Sequence, residues 1–442
     1  MLKFFLALRY LKKKKIVFLS IVAVALSTAL LVTVASLFTA FIKAVESSSA
    51  DYLGDIVLDP PQEIYHSDEL ADRLSSEKEI AAASAVLSTN GLIHFGPGNV
   101  KAVSIWGIDL PSRCKVTDMK NNLIKQGDNP SVPQFDNEDK TVIPVFVGIG
   151  LLAEPDDKTD EYDLAYVKSF IGDDAVVTVG SAQGKSQANE LRSRSAKVRI
   201  SDVVRTSVYD IDKRFIFMPI DRLAEILNKQ NPKPADIIHI KCAAGYNPEQ
   251  TVSVVRRIWT EFAGQRLNWP TYFAADAEIM TSVARQSQYT AELRKQMGVL
   301  LVIFGVISAG VIVLVFCIFY MIVAGKLKDL AIIKSVGGSA FTSASIFLIF
   351  GLFTGLLGAS IGIGIGYAIT HYVNAMERWI SLFFGLKLWS SSIYMFSRIP
   401  NNFNWFWAWR FFGAAVAASV LGALLPAIAA ARTFPAKILR YE

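Results

Sequence analysis

The chain has 442 residues, of which 52 % are hydrophobic and only 19 % are charged, and its formal net charge is +6. This balance is too apolar for an ordinary soluble chain of this length and indicates membrane-spanning segments. Much of the positive charge lies in lysines and arginines beside apolar runs, where membrane topology and contact with anionic membrane lipids account for it. The composition therefore gives no reason to expect a nucleic-acid partner.

The first apolar run covers residues 16–42 and contains no charged residue. It is long enough for one tilted helix across a hydrocarbon core of roughly 30 Å. Arg9 and the lysines at 12–15 precede it, which places the N-terminus in the cytoplasm. A cleaved signal peptide is the alternative, but its apolar core would be shorter. We therefore predict a cytoplasmic N-terminus and a membrane anchor over residues 1–43.

Residues 44–296 are mostly polar and contain no run fit to cross a membrane. Strand-like patterns at 54–59, 81–88, 236–241 and 271–273 flank two helix signals. One helix is predicted from a Ser67 cap to Leu74, and the other begins at Asn247-Pro248. This pattern predicts an α/β module on the outer side of the membrane.

The middle of this region predicts a second, β-rich module inserted at about 95–220. Its strand candidates are residues 100–108, 141–146, 174–179, 196–200 and 214–218. Residues 276–296 then show a helical pattern that runs into the next apolar segment. We expect a continuous helical stalk at this end of the outer domain.

Three further spans are predicted at 298–324, 341–372 and 409–431, within a membrane part that covers residues 297–442. Four crossings return the C-terminus to the cytoplasm, in agreement with Arg432, Lys437 and Arg440. The connection 374–408 then lies outside, and residues 379–389 fit an interfacial helix on the outer leaflet. The predicted fold class is an α+β membrane protein with four transmembrane helices, arranged one plus three, and a large periplasmic α/β module carrying a β-rich insertion.

Six glycines of the third span form ridges of small residues that allow close helix packing. They are Gly351, Gly355, Gly358, Gly362, Gly364 and Gly366. Packing within one chain and a sliding interface with a second subunit explain these ridges equally well.

We find no pattern of residues that predicts catalysis, cofactor binding or a metal site. Residues 180–186, Gly-Ser-Ala-Gln-Gly-Lys-Ser, resemble a phosphate-binding loop, but the first glycine stands one residue too late and no apolar helix follows. A hairpin turn between two strands is the better interpretation. The four histidines lack ligand spacing, and whether Cys114 and Cys242 pair is open from the sequence.

The short segment 326–339 separates the second and third spans, and the positive-inside rule places it in the cytoplasm. Apolar residues recur in it at helical spacing between charged ones, and Gly337 and Gly338 end the pattern. A tight turn is the plain alternative to an amphipathic helix. The residues we select as its working surface are Lys326, Lys328, Asp329, Ile332, Lys334, Val336 and Gly337.

Three stretches of the chain resemble a known family. Residues 328–338, Lys-Asp-Leu-Ala-Ile-Ile-Lys-Ser-Val-Gly-Gly, resemble the R-E-I-A-I-L-K-x-L-G-A run of MacB/FtsX-type ABC transporter permeases. Residues 207–221 are similar to the G-x-Y-E-x-D-x-x-x-x-x-V-x-L-x stretch of the lipoprotein-releasing LolC/LolE permeases in that family. Residues 425–442 resemble the Y-P-A-x-x-A-A-R-x-x-P-x-E-A-L-R-Y-E ending of the same permeases. The short run 106–111, Trp-Gly-Ile-Asp-Leu-Pro, resembles their G-I-D-P element.

The resemblance implies a permease of the bacterial inner membrane that is not itself an enzyme. Two permeases, identical or different, would pair, and each would dock its 326–339 helix on a separate cytoplasmic ABC ATPase dimer that binds ATP-Mg. Lys328, Asp329 and Lys334 would form the charged contacts. The substrate would be a lipoprotein passed to a periplasmic carrier. A MacB-like exporter of drugs or peptides, an FtsX-like force relay to a periplasmic hydrolase, and a tethered enzyme are the alternatives.

Overall fold

The structure, a computed structural model, describes residues 15–127, 129, 131–135, 141–156, 162–181, 192–206, 208–324, 335, 339–385, 389, 396 and 398–432. These residues form two compact units. The span unit comprises the described residues up to Lys43, Ala291–Met376 and those from Pro400 onwards. The sheet unit comprises Ala44–Thr290 together with Glu377–Ile399.

Helices and strands alternate in the sheet unit, and long helices form the span unit. The strands are β1 (Ile56–Asp59), β2 (Ile80–Gly96), β3 (Asn99–Ile108), β4 (Ile143–Gly148), β5 (Asp174–Ser181), β6 (Arg192–Val204), β7 (Phe215–Pro219), β8 (Ile237–Cys242) and β9 (Glu278–Thr281). The helices are α1 (Lys15–Leu53), α2 (Ser67–Ser75), α3 (Leu110–Val116), α4 (Ile149–Leu152), α5 (Leu164–Ser169), α6 (Tyr209–Arg214), α7 (Ile220–Leu227), α8 (Pro248–Gln265), α9 (Thr271–Ala275), α10 (Ser282–Arg285), α11 (Ser287–Ala324), α12 (Ala340–Phe384) and α13 (Trp405–Ala431).

Helices α1, α11, α12 and α13 are each long and apolar enough to cross a membrane. One of them precedes the sheet unit along the chain and three follow it. The predicted class, four membrane-length helices with a mixed α/β domain, is therefore confirmed. All four helices start earlier or end later than the predicted spans, because residues beside the apolar runs continue each helix.

All nine strands form one sheet in the order β3-β7-β4-β6-β5-β2-β8-β1-β9. Pairs β3–β7 and β4–β6 are parallel and the others are antiparallel. The second half of β2 pairs with β3 on one side and with β5 on the other. Six strands therefore close into a ring, while the first half of β2 continues through β8 and β1 to the edge strand β9.

The β-rich insertion is not a separate module in the structure. Strand β2 belongs both to the ring and to the open part of the sheet. One buried core contains Ile56 and Leu58 of the open part together with Ile105 and Val145 of the ring. Since burial increases with the size of a common core, the two parts stabilise each other.

Four local predictions are wrong. The continuous helix predicted over 276–296 is interrupted, because residues 278–281 form strand β9 opposite β1 and helix α11 begins only at Ser287. Residues 271–273 begin helix α9, because the Phe273 and Ala274 amides donate to the Pro270 carbonyl, and the closing strand is β9 instead. His66, not Ser67, is the N-cap of α2, and the Ser67 hydroxyl donates to the Lys233 carbonyl at 2.8 Å. Residues 379–384 continue α12 rather than starting an interfacial helix, and Gly385, with φ 64°, follows its end.

The glycine ridge of α12 packs against helices of the same chain. A Cβ placed on Gly358 would lie 2.8 Å from Cβ of Val24 on α1, and one on Gly351 would lie 2.6 Å from Cβ of Ala423 on α13. Both distances are shorter than carbon atoms tolerate, so these positions allow the helix backbones to approach closely. Gly364 has no atom within 4 Å of its Cβ position and is not part of this packing.

Candidate functional site

The residues selected in the predicted coupling segment 326–339 lie outside the described residues. This holds for Lys326, Lys328, Asp329, Ile332, Lys334, Val336 and Gly337. Helix α11 ends at Ala324 on one side of it and α12 begins at Ala340 on the other. The role of these seven residues stays a prediction.

Two sequence features without a predicted function, the stretch 180–186 and the pair Cys114 and Cys242, lie wholly or partly within the described residues. Strands β5 and β6 pair antiparallel from Asp174 opposite Arg199 to Ser181 opposite Arg192, so the predicted hairpin strands are confirmed. The turn between them lies outside the described residues. Cys114 and Cys242 are both free thiols. Among the residues that the structure describes, no group of three His, Cys, Asp or Glu side chains is arranged to hold a metal ion.

The candidate site lies in the sheet unit, where the end of α1 and the segment that leads into α11 meet the sheet. We call this region, residues 52–59 with 278–286, the stalk junction. Helix α1 runs for 39 residues and ends at Leu53. Gly54 follows with φ 78°, the left-handed conformation that commonly ends a helix. A Cβ on Gly54 would lie 2.7 Å from the Ile240 carbonyl oxygen, so the end of α1 is pressed directly against β8.

Strands β1 and β9 join the end of α1 to the beginning of the second span. They pair antiparallel from Ile56 opposite Thr281 to Asp59 opposite Glu278. The Ser282 amide donates to the Asp55 carbonyl at 3.0 Å, and Arg285 forms an ion pair of 3.0 Å with Asp59. Because α10 and α11 follow β9 immediately, the chain segments leading to both spans are hydrogen-bonded to each other.

Asp55 fastens the same junction to strand β8. Its backbone amide donates to the Ile240 carbonyl at 2.8 Å. One carboxylate oxygen accepts the Cys242 amide at 2.9 Å, and the other lies 3.1 Å from the Lys241 ammonium. The segment that follows α1 is therefore held to β8, between β2 and β1 in the sheet, by backbone and side-chain hydrogen bonds.

Arg113 holds the last turn of α1 from the other side. Arg113 is only 2 % exposed, and its guanidinium donates to the Tyr52 carbonyl and to Nδ1 of His239. Its Cζ lies 5.2 Å from the ring centre of Trp106. A cation beside the carbonyl end of a helix is favourable because those carbonyls carry the negative end of the helix dipole. Burial lowers the pKa of Arg113 to about 9, so the side chain keeps its charge at neutral pH.

His239 is the neutral partner of this cation. It lies on β8 and is completely buried, with its ring 5.5 Å from that of Trp106. Burial, and then the charges of Arg113 and Arg285, hold the pKa of His239 well below its usual value. The neutral ring accepts from Arg113 at Nδ1, which places its proton on Nε2. Nε2 of His239 and Nε of Arg113 have no hydrogen-bond partner among the described residues.

Arg113 and His239 were not among the residues predicted from the sequence. His239 was not predicted as a ligand, because no second ligand stands at metal spacing from it. The available signal was a histidine inside an alternating strand, Asp-Ile-Ile-His-Ile-Lys, where a buried polar ring needs a partner. Arg113 carries no local signal, because only the tertiary structure brings it to the end of α1.

A second feature is a cavity of about 330 Å³ in the span unit, between α1, α11 and α13. The hydroxyls on its wall are paired with protein atoms: Ser27 donates to Ser308 at 2.6 Å, and Ser419 donates to the Gly351 carbonyl at 2.9 Å. The rest of the wall is apolar, with Val24 and Val315 among its residues. Its volume is at the lower end of that of ligand pockets, and its chemistry suits a hydrocarbon chain.

No protein-family model matches the chain. The lipoprotein-releasing system transmembrane protein LolE of Haemophilus influenzae is 23 % identical over 395 residues, which cover 85 % of this chain and 81 % of that protein. The corresponding LolC of Neisseria meningitidis is 24 % identical over 457 residues, which cover 100 % of this chain and 99 % of that protein. The crystal structure of the periplasmic region of MacB from Actinobacillus actinomycetemcomitans aligns with 53 % of this chain and 91 % of its own, with 13 % identity and a TM-score of 0.30. The two relatives confirm the resemblance to the LolC and LolE transmembrane proteins that the motifs indicated. The chain is similar over its full length to the LolC of Neisseria meningitidis and over 85 % of its length to the LolE of Haemophilus influenzae.

Proposed function

We propose that this chain is the permease subunit of an ABC transporter that extracts lipoproteins from the bacterial inner membrane and passes them to a periplasmic carrier. The observation that carries the proposal is the full-length similarity to LolC of Neisseria meningitidis. Both termini and the 326–339 segment would then be cytoplasmic, and the sheet unit would be periplasmic.

Energy would come from a separate cytoplasmic ATPase dimer that binds ATP-Mg. In this proposal a second permease, identical or different, completes the complex. Lys328, Asp329 and Lys334 would contact the ATPase through charged pairs. Closure of the ATPase dimer would move this segment, and the movement would pass into α11 and α12, which flank it in the chain.

The stalk junction supports a mechanical use of this energy. Strands β1 and β9 tie the chain segments that follow α1 and precede α11, and Asp55 and Arg113 tie them to β8. A load on either helix would thus be shared by several hydrogen bonds and one buried cation. The sheet would then move together with α1 and α11, because the connections to it would not stretch as a flexible linker would.

The span cavity supports the substrate class. An acyl chain leaving the bilayer needs an apolar surface, and the cavity walls supply one whose hydroxyls are already paired. Transfer of hydrocarbon between two apolar environments costs little free energy. ATP would therefore be needed mainly for moving the polar part of the lipoprotein and for release.

The test is depletion of this protein in its own host, followed by separation of inner and outer membranes by density. We expect acylated lipoproteins to accumulate in the inner membrane, and re-expression of the chain to restore their sorting. A matched control is depletion of an unrelated inner-membrane permease. Unchanged lipoprotein sorting would overturn the proposal, and an altered drug sensitivity or cell-wall phenotype would then direct attention to MacB-like export or an FtsX-like relay.

A further inference from the structure

The sheet unit contains an open groove of about 630 Å³ that the proposed function does not use. It lies where three helices begin: α2 at Ser67, α3 at Leu110 and α7 at Ile220. Its lining residues belong to the sheet unit and to the part of the chain that the structure describes. We call this feature the acidic groove.

Carboxylates surround the acidic groove. Asp68 and Asp72 come from α2, Asp109 caps α3, and Asp221 stands in the first turn of α7. All four are exposed, and Lys233 is the only lysine or arginine among the described lining residues. The lining therefore carries a net charge of about −3 at neutral pH.

The contacts of Lys233 show that the acidic groove stabilises a cation. The Lys233 ammonium lies 2.9 and 3.0 Å from the two carboxylate oxygens of Asp221. Its pKa is raised, first by the hydrogen bond to Asp221 and further by the charges of Asp221, Asp68 and Asp109. These carboxylates stabilise a cation in their midst, and one lysine does not balance them.

The floor of the groove is apolar. Ala83, Ala85, Ile108, Leu110 and Ile220 are all buried beneath the acidic rim. An apolar floor below a charged rim is typical of a site for a polypeptide segment, because apolar side chains enter while charged ones pair at the edge.

Two other occupants fit less well. A metal ion would need at least three ligands together, and the described residues contain no such group. An anion would be repelled by the carboxylates, which already compensate the positive ends of the helices: Asp109 accepts the Ser112 amide at 3.1 Å, and Asp68 accepts the Glu69 amide at 2.9 Å.

We propose that the acidic groove binds a short segment of another polypeptide, one in which lysine or arginine side chains alternate with apolar ones. Electrostatic attraction would draw the basic segment in, and the apolar floor would retain it. This proposal does not depend on lipoprotein release, since any partner on the same side of the membrane with such a segment would suffice.

The test uses the full chain in phosphatidylcholine nanodiscs and a fluorescein-labelled peptide, Lys-Val-Lys-Val-Lys, with both ends capped. Binding is measured by fluorescence anisotropy, with empty nanodiscs as the blank. We expect saturable binding at about 50 mM salt that weakens at about 300 mM, because exposed charges are screened. The double variant Asp68→Asn/Asp72→Asn should weaken binding by about fivefold, and Lys233→Gln should tighten it by about threefold.

The opposite signs of these two changes keep the test decisive, because a misfolded variant would not bind more tightly. The matched control is Glu249→Gln/Glu261→Gln, which removes the same charge from exposed positions on α8 outside the groove. It should leave binding within about twofold. Equal weakening by the control pair, or no binding at low salt, would overturn the proposal, and neither result would bear on lipoprotein sorting.

Discussion

At the scale of single residues, loss of the Arg113 side chain should have the largest effect on the stalk junction. It carries a buried charge, and no acidic side chain among the described residues pairs with it in the structure. Its hydrogen bonds go to a helix-end carbonyl and to a neutral histidine. Such a group is costly to bury, so its presence indicates a positional role rather than a gain in stability alone.

Replacement of Arg113 by Ala should loosen the last turn of α1. Hydrogen bonds to charged groups contribute about 1.5–3 kcal/mol, and the Tyr52 carbonyl and His239 would both lose their donor. Hydrogen exchange of the full chain in detergent should show faster exchange at residues 51–54. Arg256→Ala, an exposed position on α8, is the control. Unchanged protection of α1 in Arg113→Ala would refute this role.

His239 makes the same site sensitive to acid. Its folded-state pKa lies below the unfolded value of about 6.5, so the unfolded chain binds the extra proton first as pH falls. The stability from neutral His239 is complete above pH 6.5 and is lost as pH falls toward the folded pKa. The expected slope is at most about 1.4 kcal/mol per pH unit.

The measurement is denaturant unfolding of the full chain between pH 5 and pH 8, roughly the range in which histidine titrates. The difference in unfolding free energy between the wild type and His239→Gln should shrink as pH falls below about 6.5. Since other groups titrate equally in both proteins, the difference isolates His239. His94→Gln, a half-buried position on β2, controls for loss of a histidine as such. A constant difference across the range would count against the assignment.

At the scale of elements, a comparison of Gly54 with Gly245 distinguishes the cost of backbone strain from the cost of steric crowding. Gly54 and Gly245 both have positive φ, 78° and 91°. A Cβ on Gly54 would collide with the Ile240 carbonyl, whereas one on Gly245 meets nothing within 4 Å. Gly54→Ala should therefore cost about 1–3 kcal/mol more than Gly245→Ala in unfolding free energy, because both add strain but only Gly54→Ala forces α1 away from β8. Equal costs, measured by denaturant unfolding, would mean that the close approach is unimportant.

The pairing of β1 with β9 predicts that α1, which precedes β1, and α11, which follows β9, move together. Asp59 and Glu278 lie directly opposite each other, where cysteines are close enough for a disulfide. In a background without the three native cysteines, Asp59→Cys/Glu278→Cys should crosslink and still sort lipoproteins like its reduced form. The single variants control for loss of each carboxylate. Sorting that stops only in the oxidised protein would show that the strands must separate during transport.

At the scale of the whole molecule, the decisive prediction concerns the segment 326–339, which we propose to be cytoplasmic. Reversing its charges, Lys328→Glu/Asp329→Lys, keeps the net charge while exchanging the signs at the proposed ATPase contact. We expect the permease to stay in the membrane and lipoprotein sorting to fail. Exchanging a matched pair in the sheet unit, Arg257→Glu/Glu261→Arg on α8, should leave sorting intact. Normal sorting with the reversed segment would exclude these charges from coupling.

Much of the architecture follows from local patterns. Apolar runs predicted the four membrane-length helices because only a continuous apolar stretch spans hydrocarbon. The alternation of apolar and polar residues predicted the bounds of β3, β5 and β8 to within a few residues. This works because successive side chains of a strand point to opposite faces. The helix predicted to begin at Asn247-Pro248 is α8, and the Asn247 side chain caps it by accepting the Glu249 amide at 3.0 Å. Each of these signals is contained in a few neighbouring residues.

The sequence alone thus determined the spans, most strands and the family resemblance, because these depend on the order and spacing of nearby residues. The tertiary structure decided that β2 joins the ring to the open sheet and that β9, not residues 271–273, closes it. It also decided that Arg113, Tyr52 and His239 meet, although 61 and 126 positions separate Arg113 from its two partners. Contacts between residues so far apart depend on how the whole core packs, and no local pattern records them.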